Sequence, residues 1–204
     1  MFPLGTVVFP GSVFTLRVFE PRYLELVKYC IEYQESFGVC LISRGHEVGG
    51  GDERYDFGTL SKIKQVYEIG NEQLAISCIG ERRFRVLEWQ EDRPYPSADV
   101  QIMEVEDSQN ISREQIDLLR AVASNTAKTI AQISGIPPKI IPPMRSDVME
   151  EIYNLAEHSY LGTYDRYKVL SSQSLEARFN SLEEHLQEID EMYTIELNLK
   201  NRPS

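Results

Sequence analysis

The chain predicts an α+β protein: a β-rich part carrying one helix, followed by a bundle of helices. Three observations carry this. Up to residue 106 the apolar residues fall in short, β-branched runs separated by turn signals. From residue 107 they recur at a period near 3.6. Between helical stretches stands "GIPPKIIPPM", whose four prolines cannot continue a helix and favour an extended connector. The expected organisation is therefore a β-rich subdomain over 1–106, a helical subdomain over 107–192 and a frayed polar tail over 193–204.

In chain order, "TVVFP" and "VFTLRVF" read as strands flanking a turn at Pro10, Gly11 and Ser12. A helix follows in "FEPRYLELVKYC", where Pro21 suits the first helical position because its missing N–H has no intrahelical partner there. Glu20 then faces the positive end of the helix, worth about 0.3–1 kcal/mol. At ~100° per residue, Leu24, Ile31, Val27, Tyr23, Cys30, Leu26, Tyr33 and Tyr29 cover far more of the circumference than a surface helix needs. Either the helix is gripped between strands and the C-terminal helices, which is the expectation, or Tyr29 and Tyr33 spill onto the surface.

"FGVCLIS", "GTLSKIKQVYEI", "QLAISCI", "RFRVLEWQ" and "ADVQIMEVE" complete seven strands, with turns at Gly70–Asn71 and Gly80–Glu81. Seven short strands at this spacing suit a small barrel or a pair of packed sheets. In the second half, Ser112 and Gln115 form a capping box ahead of Ile116, Leu119, Val122, Ala123, Ile130 and Ile133. Ser146 is the expected cap of a helix that Gly162 stops, and a turn at "YDRYKVL" leads to a last helix from Ser174.

Composition restricts function. Net charge is −11, spread evenly over both halves with no basic tail, which argues against nucleic acid as a partner. No apolar run approaches the ~18 residues of a membrane span, and the N-terminus does not read as a signal peptide. The location expected is the cytoplasm, where Cys30, Cys40 and Cys78 are free buried thiols. The glycine-rich loop "HEVGGGDERYD" would repel phosphate through Glu47, Asp52, Glu53 and Asp56. Those carboxylates suit a hard cation, but a solvated hairpin insertion is the plainer reading. His46, His158 and His185 lie apart, with no metal-ligand spacing; His158 and His185 read as surface or boundary residues. The expectation is no metal, no cofactor and no catalytic residue. Arg82, Arg83 and Arg85 form the one basic cluster, read as paired with carboxylates such as Glu81 and Glu88.

The segments "PLGTVVFPG", "LRVFEPRYLELV" and "FGV", with "GTLSKI", "IGERRFRVLEW" and "DRYKVLSSQSLEARFNSLEEHL", resemble the Lon protease N-terminal (LON substrate-binding) domain, especially its free-standing bacterial members. The resemblance covers nearly the whole chain. It implies a PUA-like pseudo-barrel with one helix, then a helical bundle, and a non-catalytic role in polypeptide recognition, as an adaptor in protein quality control. Partners implied are unfolded or extended polypeptide, or a protease or chaperone. No G-x-x-x-x-G-K-[ST] loop is present. Ser61 and Lys62, being adjacent on a strand, point to opposite faces and cannot act as a dyad. A non-enzyme is expected, with Arg22, Tyr23, Tyr29 and Tyr33 as candidate polypeptide-binding residues. The competing reading is an RNA-binding module on a PUA-like fold.

Overall fold

The computed structural model describes residues 1–92, 94–104 and 111–201. The chain forms two compact units, Met1–Val105 and Glu106–Ser204. The division expected between residues 106 and 107 lies outside the described residues.

The first unit is one mixed sheet with a helix. Its strands are β1 (Phe2–Leu4), β2 (Val13–Val18), β3 (Phe37–Arg44), β4 (Glu53–Glu68), β5 (Leu74–Trp89) and β6 (Ala98–Ile102), with α1 (Pro21–Tyr33) after β2. The order is β1-β3-β4-β5-β2, and β6 also pairs with β5. Only the β1–β3 pair is parallel. The two long strands change partners along their length. β5 takes β2 on residues 74–79 and β6 on residues 84–89, and bulges bend the sheet into a half-barrel.

Two expectations change here. "QLAISCI" and "RFRVLEWQ" are a single strand, because Gly80–Glu81 is a bulge and not a turn. Leu60 pairs with Arg82 and Ser61 with Gly80, leaving Glu81 as the extra residue. "TVVFP" is no strand but a strap lying across β5. Gly11 N–H donates to Gly80 O and Gly80 N–H to Ser12 O, both at 2.9 Å. Thr59 Oγ1 donates to Val8 O at 2.6 Å. A Cβ on Gly80 would collide with the Phe9 carbonyl, so only glycine lets the strap pass this close. Val7, Val8 and Phe9 are buried, which explains their strand-like composition without a ladder.

α1 lays Tyr23, Leu26, Val27 and Cys30 on the sheet beside Phe2, Phe37, Val39 and Ile76. Cys30, Cys40 and Cys78 are free and buried. Burial pushes the Cys40 and Cys78 thiols up to about 12 and raises Cys30 as well. Because the thiolate is the nucleophile, an aromatic disulfide reagent at mildly alkaline pH should label the native protein no faster than it unfolds. Rapid labelling of any of the three thiols in folded protein would refute this.

The second unit contains α2 (Arg113–Ser134), α3 (Val148–His158), α4 (Thr163–Ser171) and α5 (Leu175–Lys200). The capping box is present: Gln115 N–H donates to Ser112 Oγ at 3.2 Å, and Ser112 N–H to Gln115 Oε1 at 2.9 Å. α3 is capped by Asp147, one residue after the expected Ser146. "YDRYKVL" is helical, not a turn, and Gly162 is the N-cap of that helix. α5 runs to Lys200, past Met192, where a frayed tail was expected. Tyr193 and Leu197 are half-buried one turn apart, and Lys200 Nζ donates to Ile133 O at 2.7 Å.

The proline-rich connector is tied down by a buried carboxylate. Glu151, fully buried, takes Arg120 Nη1 at 2.5 Å, the Arg145 N–H at 2.7 Å and Asn154 Nδ2 at 3.0 Å. Arg120 reaches on to the Ile141 and Pro142 carbonyls. Proline offers no N–H of its own, so side chains supply the bonds that a regular element would make. His185, expected at the surface or a boundary, is buried; its Nε2 lies 3.2 Å from Lys168 Nζ and 3.3 Å from Asp165 Oδ1.

Candidate functional site on the first helix

α1 starts at Pro21 behind Glu20, whose side chain makes no capping bond within the helix. Its carboxylate instead accepts from Arg22 Nε at 3.2 Å and, at 3.4 Å, from the Gly49 N–H of the glycine-rich loop. That loop joins β3 to β4 and is latched at other points too. Glu47 accepts from the Gly5 N–H at 2.5 Å, and Arg54 bridges Asp52 at 2.5 Å and Asp92 at 2.7 Å beneath the Trp89 ring. Burial disfavours the Arg54 charge, but its hydrogen bonds to Asp92 and Asp52 outweigh that and raise its pKa. The loop is exposed over residues 45–49, as a solvated insertion should be, and is tied to the unit at these points. Among the described residues no group of His, Cys, Asp and Glu is arranged to hold a metal.

The four candidate residues divide into two pairs. Tyr23 is buried and stacks on Phe2, with ring centroids 4.2 Å apart and planes 16° from parallel. Arg22 lies over that ring and pairs with Glu20 at 3.0 Å. Tyr23 is therefore a core residue with no surface to offer, a correction to its place among the binding candidates, and Arg22 is engaged locally. Tyr29 and Tyr33, one turn apart, are 47% and 59% exposed, with ring centroids 4.8 Å apart. Ile31, also exposed, points about 160–200° around the helix from them, onto the other flank. Of the two readings of the apolar arc, the exposures match the second: Tyr29 and Tyr33 lie at the surface.

The two tyrosines line a shallow groove of 520 Å³ with Glu25, Lys28, Glu32, Pro94 and Tyr95. Sequence reading missed the last pair. Pro94 and Tyr95 belong to the β5–β6 connection, and the only signal there was the triplet Pro94-Tyr95-Pro96, a rigid stretch with an aromatic at its centre. The arginine cluster is also resolved. Arg83 is buried, the Arg85 guanidinium lies 5.9 Å from the centre of the Phe57 ring, and Glu81 accepts from Ser36 Oγ at 2.8 Å instead of capturing an arginine.

A mixed half-barrel with one helix on its sheet, followed by a four-helix unit, is the architecture of Lon N-terminal domains. The family model for the ATP-dependent protease La (LON) substrate-binding domain matches residues 1–188, and the chain belongs to that family. A Lon N-terminal domain protein from Xanthomonas campestris is 27% identical, with a TM-score of 0.64 over 91% of this chain and 95% of that one. The N-terminal domain of Mycobacterium avium complex Lon protease shares the fold at 17% identity and a TM-score of 0.54. Lon protease of Anaeromyxobacter dehalogenans is 24% identical over 182 residues, 85% of this chain and 21% of that protein. Lon protease 2 of Myxococcus xanthus is 26% identical over 149 residues, 72% of this chain and 17% of that protein. The chain thus spans about a fifth of the length of these curated relatives. No described helix is long and apolar enough to cross a membrane.

Proposed function

We propose that the chain is a non-catalytic, cytoplasmic module that captures unfolded or extended polypeptide on the open face of α1, as a substrate-recognition element or adaptor for a protease or chaperone. The observation that carries this is the exposed Tyr29–Tyr33 pair, rings tilted 40° to one another, lining one groove with Tyr95. Tyrosine suits such a surface because the ring buries apolar area while the hydroxyl stays hydrated. Glu25 and Glu32 on the rim, in a chain of net charge −11, disfavour nucleic acid. The match to the substrate-binding domain supports the non-enzymatic reading. Of the arginine cluster behind the competing RNA reading, Arg83 is buried while Arg82 and Arg85 are exposed, so the salt dependence of binding decides between the two.

The test is binding of reduced, carboxymethylated α-lactalbumin to the full chain and to a Tyr29→Ser/Tyr33→Ser variant, at low and high salt. Wild-type affinity should be roughly micromolar, since a single module lacks avidity. The variant should bind about tenfold more weakly or worse, while its stability shifts by no more than about 0.5 kcal/mol because both side chains are exposed. Equal binding by a folded variant overturns the site. Binding that collapses with salt, together with tight RNA binding, transfers the case to nucleic acid.

A further inference from the structure

The other flank of α1 carries a different feature. Ser61 of β4 pairs with Phe37 of β3, and beyond that point none of the described strands pairs with β4 on that side. On its other side β4 stays paired with β5 as far as Glu68 and Leu74. Residues 62–68 are thus an open sheet edge. This exposed edge borders a groove of 390 Å³ lined by Cys30 and Ile31 of α1, by Gln34 and Glu35 just after it, and by Lys62–Val66 of β4. Ile31 is 50% exposed and Val66 38%.

An open edge presents alternating N–H and C=O groups, a pattern that only another extended backbone matches. We propose that an extended polypeptide segment adds to β4 at residues 62–68 as a further strand, alongside α1. This rests on the reading of the chain as a polypeptide-binding module and specifies the form in which the polypeptide is held. Alternate side chains of the segment lie against Ile31 and Val66 in the groove and against Tyr67 on the opposite face, so apolar residues at every second position are favoured. Lys62 and Lys64 put positive charge on the edge of an acidic chain, which favours a carboxylate in the segment. The same features oppose pairing with a second copy. A second copy would bring its own Lys62 and Lys64 against these lysines, a like-charge juxtaposition that a segment carrying a carboxylate avoids.

The experiment uses the full chain with two probes: carboxymethylated α-lactalbumin, and a soluble alternating valine–threonine peptide with one aspartate. Hydrogen exchange read by mass spectrometry should show amides of residues 62–68 slowing when either probe binds. N-methylating alternate residues of the peptide removes backbone donors while leaving its side chains intact, and should weaken binding about tenfold or more. Undiminished binding of the methylated peptide, or protection confined to α1, overturns strand addition. If α-lactalbumin binding still depends on Tyr29 and Tyr33 in that case, capture on α1 survives; if neither probe binds, both readings fall. Concentration-dependent protection of 62–68 in the chain alone, with a dimer in sedimentation, assigns the edge to a second copy and also overturns the proposal.

Discussion

Replacing Glu151 by alanine is expected to destabilise the helical unit by about 3–5 kcal/mol, the loss typical when one partner of a buried pair is removed. The substitution leaves Arg120 without its carboxylate, and the Arg145 N–H and Asn154 Nδ2 without their acceptor. The connector carbonyls of Ile141 and Pro142 then hold Arg120 alone. The measurement is urea unfolding of the full chain followed by far-ultraviolet circular dichroism, whose helical signal comes chiefly from α2 to α5. A Glu151→Leu/Arg120→Met double variant should recover only part of the loss: the apolar pair removes both charges together, but the Arg145 N–H, Asn154 Nδ2 and connector carbonyls stay without their partners. A single-variant loss below about 1 kcal/mol would show that the hub contributes little beyond what water supplies.

The second large effect is expected in the sheet. Phe84 is fully buried at the centre of β5, and Gly38 and Gly58 on the neighbouring strands make room for its ring. A Cβ at Gly58 would lie 2.5 Å from Phe84 Cζ, and one at Gly38 would lie 3.0 Å from the same ring. Phe84→Ala should therefore cost about 3–5 kcal/mol, as emptying such a site does. Gly58→Ala should cost about 1–3 kcal/mol by overpacking. Shortening Phe84 relieves only part of that second penalty, because the added methyl also strikes the Val39 carbonyl. The lone tryptophan, Trp89, sits at the end of β5 and reports on this unit by fluorescence. A silent Gly58→Ala would mean that the strands have room to part.

What was legible in the sequence was local. The Ser112–Gln115 box, Pro21 at a helix start and the Gly70–Asn71 turn are short-range chemistry, and each sits where its residues place it. What failed was set by residues far away in the chain. Gly80–Glu81 has turn composition, yet it is a bulge because the strap at Phe9 crosses there. α4 buries only Val169 and Leu170, so its sequence carries no apolar stripe to announce a helix. Tyr23 and Tyr29 belong to one continuous arc, and periodicity cannot say which part of it the sheet covers. Tyr95 faces the tyrosines only because β6 returns to β5.

The strap also sets an order of events in folding. Its apolar residues Val7, Val8 and Phe9 reach their places only when Thr59, 51 residues after Val8, and Gly80 are available to receive them. Phe2 likewise waits for Val39, its parallel partner. Contacts of such long sequence separation form slowly, because the intervening loop must close before they add any stability. A nascent chain therefore carries an uncovered apolar segment at Val7–Phe9, and that segment stays uncovered until β5 has been made. During synthesis this module presents the same kind of surface that its proposed role is to recognise in others.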